Sequence, residues 1–316
     1  SNNLIVIVEA ISGGNVITLL LLTAVLCIIL GMGLPTTANY LVVAALMAQV
    51  VVEVGSASGY VFPLIAIHLY VFYYGLMADV TPPVGLASYA AAAISKADPI
   101  KTGVQAFWYS LRTGILPIVF IFNPELLLIG IENFWHGITV VLTSLAAILI
   151  FTAATQGWFV NKLKWYEIVV FLLISMSLFR PGYILDKFYP KFEKQSLQAD
   201  KIINLQFNPD KEVHIKVTRR TEYGDRYKLF VIKKDSFIKK YNLEEYGINL
   251  VDKEGRLTVD TLKWNGLAKK AGIETDDVIT EFKIENVDRP NKAIIYPFSF
   301  LLIFIFGYNN YRRKLE

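Results

Sequence analysis

The chain has 316 residues, 54% hydrophobic and 18% charged, with a net charge of +4. Its mean hydropathy of +0.45 argues against a wholly water-soluble globule and for a large membrane part. The small net charge, with acids and bases interleaved, gives no support for a nucleic-acid surface.

Charges are sparse up to Arg180 and dense from Asp186 to Arg289, so the natural division is one membrane region and one soluble region. Cys27 is the single cysteine and lies in an apolar run. It reads as packing, since no intrachain disulfide is open to it. Ser1–Glu9 has neither a basic start nor a cleavage site. With no initiator methionine and an abrupt entry into a membrane segment, the chain is expected to be a piece of a longer protein.

Val16–Leu30 and Ala38–Val52 are apolar runs of about 15 residues each, whereas a spanning helix needs about 20. At their junction, running into the second, stands Gly31-Met32-Gly33-Leu34-Pro35-Thr36-Thr37-Ala38-Asn39-Tyr40. Two glycines, a proline, two threonines and an asparagine make poor helix. At membrane depth such backbone survives only where protein buries it or a cavity needs it. The expected form is a re-entrant hairpin with its tip at Gly31–Thr37; one long unwound helix and two short tilted spans are the alternatives. Phe62–Met77 and Val84–Ile94 flank a second break, Ala78-Asp79-Val80-Thr81-Pro82-Pro83, where the prolines remove donors and Pro82 pushes Thr81 out of the helical region.

Asp98-Pro99 predicts a helix N-terminus. Pro99–Arg112 is amphipathic, and Phe107, Trp108 and Tyr109 suit an interface. Thr113–Ile131, Gly137–Ala154 and Tyr166–Phe179 read as spans, and Ile294–Tyr308 as a last one ending in Arg312-Arg313-Lys314. Basic residues at 96, 101, 112, 162, 164 and 312–314 place those turns and the C-terminus in the cytoplasm. The hairpin then opens outward, with Glu9 and Glu53 outside, and the soluble segment is periplasmic in a bacterium with two membranes. That segment alternates apolar and polar residues over His214–Thr218, Tyr227–Ile232 and Leu257–Leu262. It adds a short helix over 266–273 and a strand over Asp276–Phe282.

Two discontinuous elements in one membrane region point to a secondary transporter's binding site. Half-helix N-termini favour anions, and free carbonyls and hydroxyls suit a small cation such as sodium. Gly31, Gly33, Pro35, Thr36, Thr37 and Asn39 form one candidate set; Asp79, Thr81, Pro82 and Gly85 form the other. A membrane acid is costly without a partner, so Asp79 is either a cation or proton site or an interfacial helix cap. His68 reads as a packing residue rather than a proton relay, and His136 and His214 make no metal site with it. No metalloprotease, nucleophile-elbow or phosphate-loop motif occurs, so no enzyme and no cofactor is expected, and transport energy would have to come from an ion gradient.

The order Gly31–Tyr40, His68-Leu69-Tyr70-Val71-Phe72-Tyr73-Tyr74-Gly75, Asp79-Val80-Thr81-Pro82-Pro83-Val84-Gly85-Leu86-Ala87, Asp98–Gly103 and Phe122-Asn123-Pro124-Glu125-Leu126-Leu127 strongly resembles the fused permease of TRAP transporters, the tripartite ATP-independent periplasmic transporters. The likeness covers about the first 130 residues and looks like the C-terminal part of the large membrane subunit. The first inverted repeat and the fused small membrane subunit would then lie upstream. The resemblance implies a sodium-coupled, elevator-type symporter in the bacterial inner membrane. It would import a small organic solute, usually an organic acid, delivered by a periplasmic solute-binding protein. It also implies that Gly31, Gly33, Thr36, Thr37, Asp79 and Thr81 hold sodium or face solute.

The soluble segment resembles a PDZ-like α+β domain. Tyr246-Gly247-Ile248-Asn249-Leu250 stands where a carboxylate-binding loop would lie, and Gly266-Leu267-Ala268 to Ala271-Gly272-Ile273, then Asp277-Val278-Ile279, match a helix and strand. Such folds bind peptides by adding a strand; a purely structural domain is the alternative. The expected plan is a multi-pass α-helical membrane protein: transport region over 1–131, two further helices over 132–182, PDZ-like domain over 183–292, and a last helix with a basic tail over 293–316. The competing function is a membrane-anchored peptide-binding or regulatory module without transport.

Overall fold

A computed structural model describes residues 11–13, 15–195, 212–221, 224–232, 243–244, 247–253, 255–270, 272–286 and 288–315. Ser1–Glu9, Tyr246 and Ala271, on which parts of the sequence reading fall, lie outside the described residues. The chain divides into two compact bodies.

One body takes Thr23–Ala44, Pro63–Tyr189 and Pro290–Glu316. The helices at the breaks are α1 (Val16–Gly31) and α2 (Thr36–Ala57), of which residues 16–22 and 45–57 count with the other body, and α3 (Leu64–Met77) and α4 (Leu86–Ser95). α5 (Pro99–Thr113) opens on Asp98, whose Oδ1 accepts from Lys101 N–H at 2.8 Å, with Pro99 at the first helical position. α6 (Ile115–Phe122) follows at once. The amphipathic stretch expected over 99–112 and the span expected from Thr113 run on as one apolar helix, Pro99–Phe122. Gly114 stays helical at φ −63° and donates to Ser110 O, and the run stops at Asn123 before Pro124 rather than at Ile131.

Among the described residues four helices are long and apolar enough to cross a membrane: Thr36–Ala57, Pro99–Phe122, Phe134–Gln156 and Lys292–Leu315. The first corrects the expectation of two short halves. α2 has 22 residues, because Glu53, Gly55 and Ser56 extend it instead of ending it.

α7 (Phe134–Gln156), α8 (Trp165–Phe179), α9 (Gly182–Phe188) and the last helix, α11 (Ile295–Leu315), complete this body. Phe151, Phe171, Ile174 and Phe179 form its core together with Ala147 and Val119. One face of α11 clasps the turn between α7 and α8. Asn310 is fully buried; its Oδ1 accepts from Val160 and Asn161 N–H at 3.2 and 2.8 Å. One turn on, Arg313 Nη2 lies 2.5 Å from both oxygens of Glu167, a carboxylate 2% exposed. At the other end of these helices Asn123 Nδ2 donates to Phe179 O at 2.5 Å, and Lys292 pairs with Glu125.

The other body takes Ala45–Phe62 and Pro190–Arg289, with the described part of Ser1–Leu22. Its centre is an antiparallel sheet of β1 (Phe192–Lys194), β2 (Val213–Thr221), β3 (Gly224–Ile232), β4 (Ile248–Lys253), β5 (Arg256–Leu262) and β6 (Val278–Glu285). The order is β3-β2-β6-β5-β4, with β1 also on β6. β2, β3, β5 and β6 fall where period-2 alternation places them, β1 and β4 are strands beyond those expected, and α10 (Leu267–Lys270) lies within the predicted helix. Val213, Ile215, Val217, Phe230, Leu257 and Phe282 lead the core. Arg219 forks onto Asp277, at 2.7 and 2.8 Å, and fixes the turn into β6. Such bidentate charge-assisted bonds are the strong, geometry-setting kind.

Candidate functional site

The first break folds around Asn39. α1 ends at Gly31, the chain turns through Met32–Pro35, and α2 starts at Thr36. Asn39, in the first turn of α2, is 1% exposed. Its Nδ2 donates to Cys27 O at 3.0 Å, in the last turn of α1. That donation sets the orientation of the amide, because the opposite one would put two oxygens together. Oδ1 is then buried with no hydrogen-bond partner among the described residues. An orphan of this kind costs about 1–3 kcal/mol, so it needs a reason.

Two glycines make room for this side chain. A Cβ at Gly31 would lie 2.3 Å from Asn39 Nδ2 and 2.6 Å from Ala78 Cβ. A Cβ at Gly75, on α3, would lie 3.1 Å from the same nitrogen. Ala78 opens the 3-10 turn Ala78–Val80 at the second break. The two breaks, whose first residues Gly31 and Ala78 are 47 positions apart, are therefore packed together at Gly31, Asn39 and Ala78, with Gly75 of α3 beside them. A second tie runs beside it: Tyr40 OH is 3.0 Å from His68 Nδ1, and the Tyr40 ring meets Phe72 edge-on. His68 is thus a partnered residue of α3.

The other candidate residues differ from Asn39. Gly31 is buried, Thr36 half-buried, and Gly33, Pro35 and Thr37 exposed. At the second break Thr81 is 8% exposed, and its hydroxyl donates to Met77 O at 2.6 Å. Asp79 and Pro82 are half-buried, and Gly85 is buried at φ +31° and donates to Thr81 O. No hydrogen bond among the described residues joins Thr36 or Thr37 to Asp79 or Thr81. Gly75 and Cys27 O, which sequence reasoning passed over, belong to the site. A glycine inside an apolar helix was the available sign for the first; the second is a backbone atom and has no sign. Among the described residues no three His, Cys, Asp or Glu side chains are placed to hold a metal ion.

In the sheet domain, Gly247 has φ +79° and its N–H donates to Glu244 O, while Ile248 N–H donates to Leu243 O, both at 3.0 Å. Ile248 is in the core, Leu250 packs against it, and Asn249 Nδ2 donates to Thr261 Oγ1 at 2.8 Å. β4 is an edge strand among the described residues.

Residues 2–135 match the family described as the tripartite ATP-independent periplasmic transporter, DctM component. Residues 137–316 match a domain of unknown function, DUF3394. The first is a transporter family and not an enzyme family. No curated protein and no solved structure matches the chain.

Proposed function

The chain belongs to the DUF3394 family and carries ahead of that domain the DctM component of the TRAP transporters, and on that premise we propose that it is the membrane subunit of a sodium-coupled importer of a small organic acid, fed by a periplasmic solute-binding protein. The observation that carries the sodium part is the bare Oδ1 of Asn39. It is an amide oxygen, buried and unpartnered among the described residues, at the junction of two helix breaks. Hard oxygen atoms of this kind are what a small cation takes, and they occur at broken helices of transporters. The residues present therefore fit sodium. Asn39 would supply one ligand, and the half-buried Thr36 and Asp79 stand at the same two breaks. A bound ion would remove the cost of the orphan oxygen.

The elevator-type fold is supported by the same pairing of a helical hairpin tip with a broken helix. The inner-membrane placement is supported by the four long apolar helices. The sidedness we propose is supported by the basic turns: Lys162 and Lys164 lie by the turn clasped by Asn310 and Arg313, so both basic segments share one end of the helices. On the positive-inside rule that end is read as cytoplasmic, and the sheet domain, which precedes the opposite, N-terminal end of α11 in the chain, is read as periplasmic. The sheet domain reads as PDZ-like from α10 before β6 and from the edge position of β4. With the Gly247 and Ile248 amides already bonded, its loop has two fewer donors for a peptide carboxylate. A mere anchor, the competing reading, has no need of two breaks packed on a buried amide.

The test is uptake in proteoliposomes by the full-length protein with its binding protein, with and without an inward sodium gradient. Asn39→Leu is expected to abolish the sodium-driven part, about tenfold or more, while the purified variant stays folded. Equal uptake with and without sodium in the parent refutes the coupling, and unchanged sodium dependence in Asn39→Leu refutes the site.

A further inference from the structure

Part of the outer face of the sheet, around His214 and Lys216, is covered where it would be expected to be wet. In an antiparallel sheet packed on one side, alternate residues face water. In β2, Val213, Ile215 and Val217 point into the core, yet His214 is only 7% and Thr218 only 9% exposed, and Lys216 between them is half-buried. Phe192 covers His214, with ring centroids 4.0 Å apart. The cover on Lys216 is the C-terminal end of α2: its ammonium donates to Ala57 O. β6 adds to the same face, since His214 pairs with Lys283 and Lys216 with Glu281. Glu281 bridges Lys194 at 2.7 Å and Lys283 at 3.0 Å. Gly59 sits on that group: a Cβ there would be 3.1 Å from Lys283 Nζ and 3.9 Å from Glu281 Oε2.

The chemistry of a helix end explains the fit. The last carbonyls of a helix have no intrahelical donor and carry partial negative charge. α2 closes with Gly59 in the left-handed region at φ +81°, and Tyr60 N–H returns to Gly55 O at 2.8 Å. Phe62 folds back over Gly55, where a Cβ would be 2.5 Å from its ring. No backbone amide among the described residues reaches Ala57 O. The Lys216 ammonium takes that position at the negative end of the helix. Burial alone would raise the Glu281 carboxyl, but its bonds to Lys194 and Lys283 hold it below the usual carboxylate range. It therefore stays charged beside the docked turn.

We propose that the outer face of β2 and β6 is the docking surface for the C-terminal turn of α2, so that the DUF3394 sheet holds one end of the helix whose first turn carries Asn39. The occupant is this chain's own segment Ala57–Gly59. The domain of unknown function thereby acquires a role as a brace on the transport region. The effect on uptake rests on the transporter reading above; the docking itself does not.

Hydrogen exchange on the full chain in nanodiscs tests the docking. Lys216→Met is expected to speed exchange about tenfold at amides 54–62, with amides 224–232 unchanged, and Lys216→Arg is expected to restore slow exchange. Equal exchange at 54–62 in the parent and Lys216→Met overturns the proposal. So does loosening there that comes only together with loosening of the sheet. In proteoliposomes, Lys216→Met is expected to lower sodium-driven uptake about fivefold. A parent without sodium-driven uptake refutes the transporter reading alone. A sodium-driven parent with an unaffected Lys216→Met variant refutes the brace.

Discussion

Replacing Gly31 by alanine puts a methyl group into occupied space. Its Cβ would stand 2.3 Å from Asn39 Nδ2 and 2.6 Å from Ala78 Cβ, against a normal separation of about 3.5 Å or more. Something must move by about 1 Å. Ala78 is in a 3-10 turn with its backbone bonded, so the side chain that gives way is Asn39, and its bond to Cys27 O is lost. Overpacking costs about 1–3 kcal/mol, and a second orphaned polar atom at Asn39 adds about 1–3 kcal/mol. Gly33→Ala is the control. Gly33 has φ +94° and nothing within 4 Å of an added Cβ, so its cost is backbone strain alone, about 1 kcal/mol. Thermal unfolding of both variants in detergent, with and without sodium, separates the two. Gly31→Ala is expected to have the lower midpoint and to lose any sodium-dependent stabilisation, whereas Gly33→Ala keeps it. If Gly33→Ala proves as damaging as Gly31→Ala, the close packing of Gly31 on Asn39 is wrong.

Arg313→Met leaves the Glu167 carboxylate buried without its cation and is expected to cost about 3 kcal/mol or more. Adding Glu167→Gln should recover much of the loss in a double-mutant comparison of unfolding; a double variant as unstable as Arg313→Met alone would contradict the pairing. In the sheet domain Glu212 is set by opposing causes. Burial pushes its carboxyl up, but the hydrogen bond from His214 and the charge of Lys191 outweigh it and bring the pKa to about 2. A folded value below the unfolded one means that the stabilisation is present above the unfolded pKa and is lost as pH falls through the folded one. The full chain should therefore lose sheet stability between roughly pH 4.5 and 2, and Glu212→Gln should flatten that slope. Parallel pH profiles of urea unfolding for parent and variant would rule this out.

How much of this could be read beforehand depends on the distance over which each feature is decided. The helix start at Asp98-Pro99 rests on residues three apart, and the structure shows it. The strands need only period 2, and β2, β3, β5 and β6 fall on their apolar alternation. Features decided at long range were hidden. Six residues of the first break carry oxygen-rich or flexible chemistry, yet only Asn39 becomes a buried, bare acceptor, because Gly31 and Gly75 both leave it room. Gly55 and Ser56 look like loop residues, yet α2 runs through them. Gly55 is there because Phe62 folds back against it.

The same reasoning accounts for the outer face of the sheet. Lys216 in an alternating strand reads as a solvent-facing residue, and so do Glu281 and Lys283. Nothing local says otherwise, because the group that covers them is a carbonyl at the end of a helix some 159 positions away. A helix end must satisfy its carbonyls somewhere, and with Gly55 O taken by Tyr60, Ala57 O is the one left over. A lysine on the sheet satisfies it at little structural cost, since its long stem reaches a helix end while its backbone stays in register with Glu281. At Lys216, Glu281 and Lys283 the polar face of the sheet is thus a contact surface and not a wetted one, which a strand pattern alone cannot distinguish.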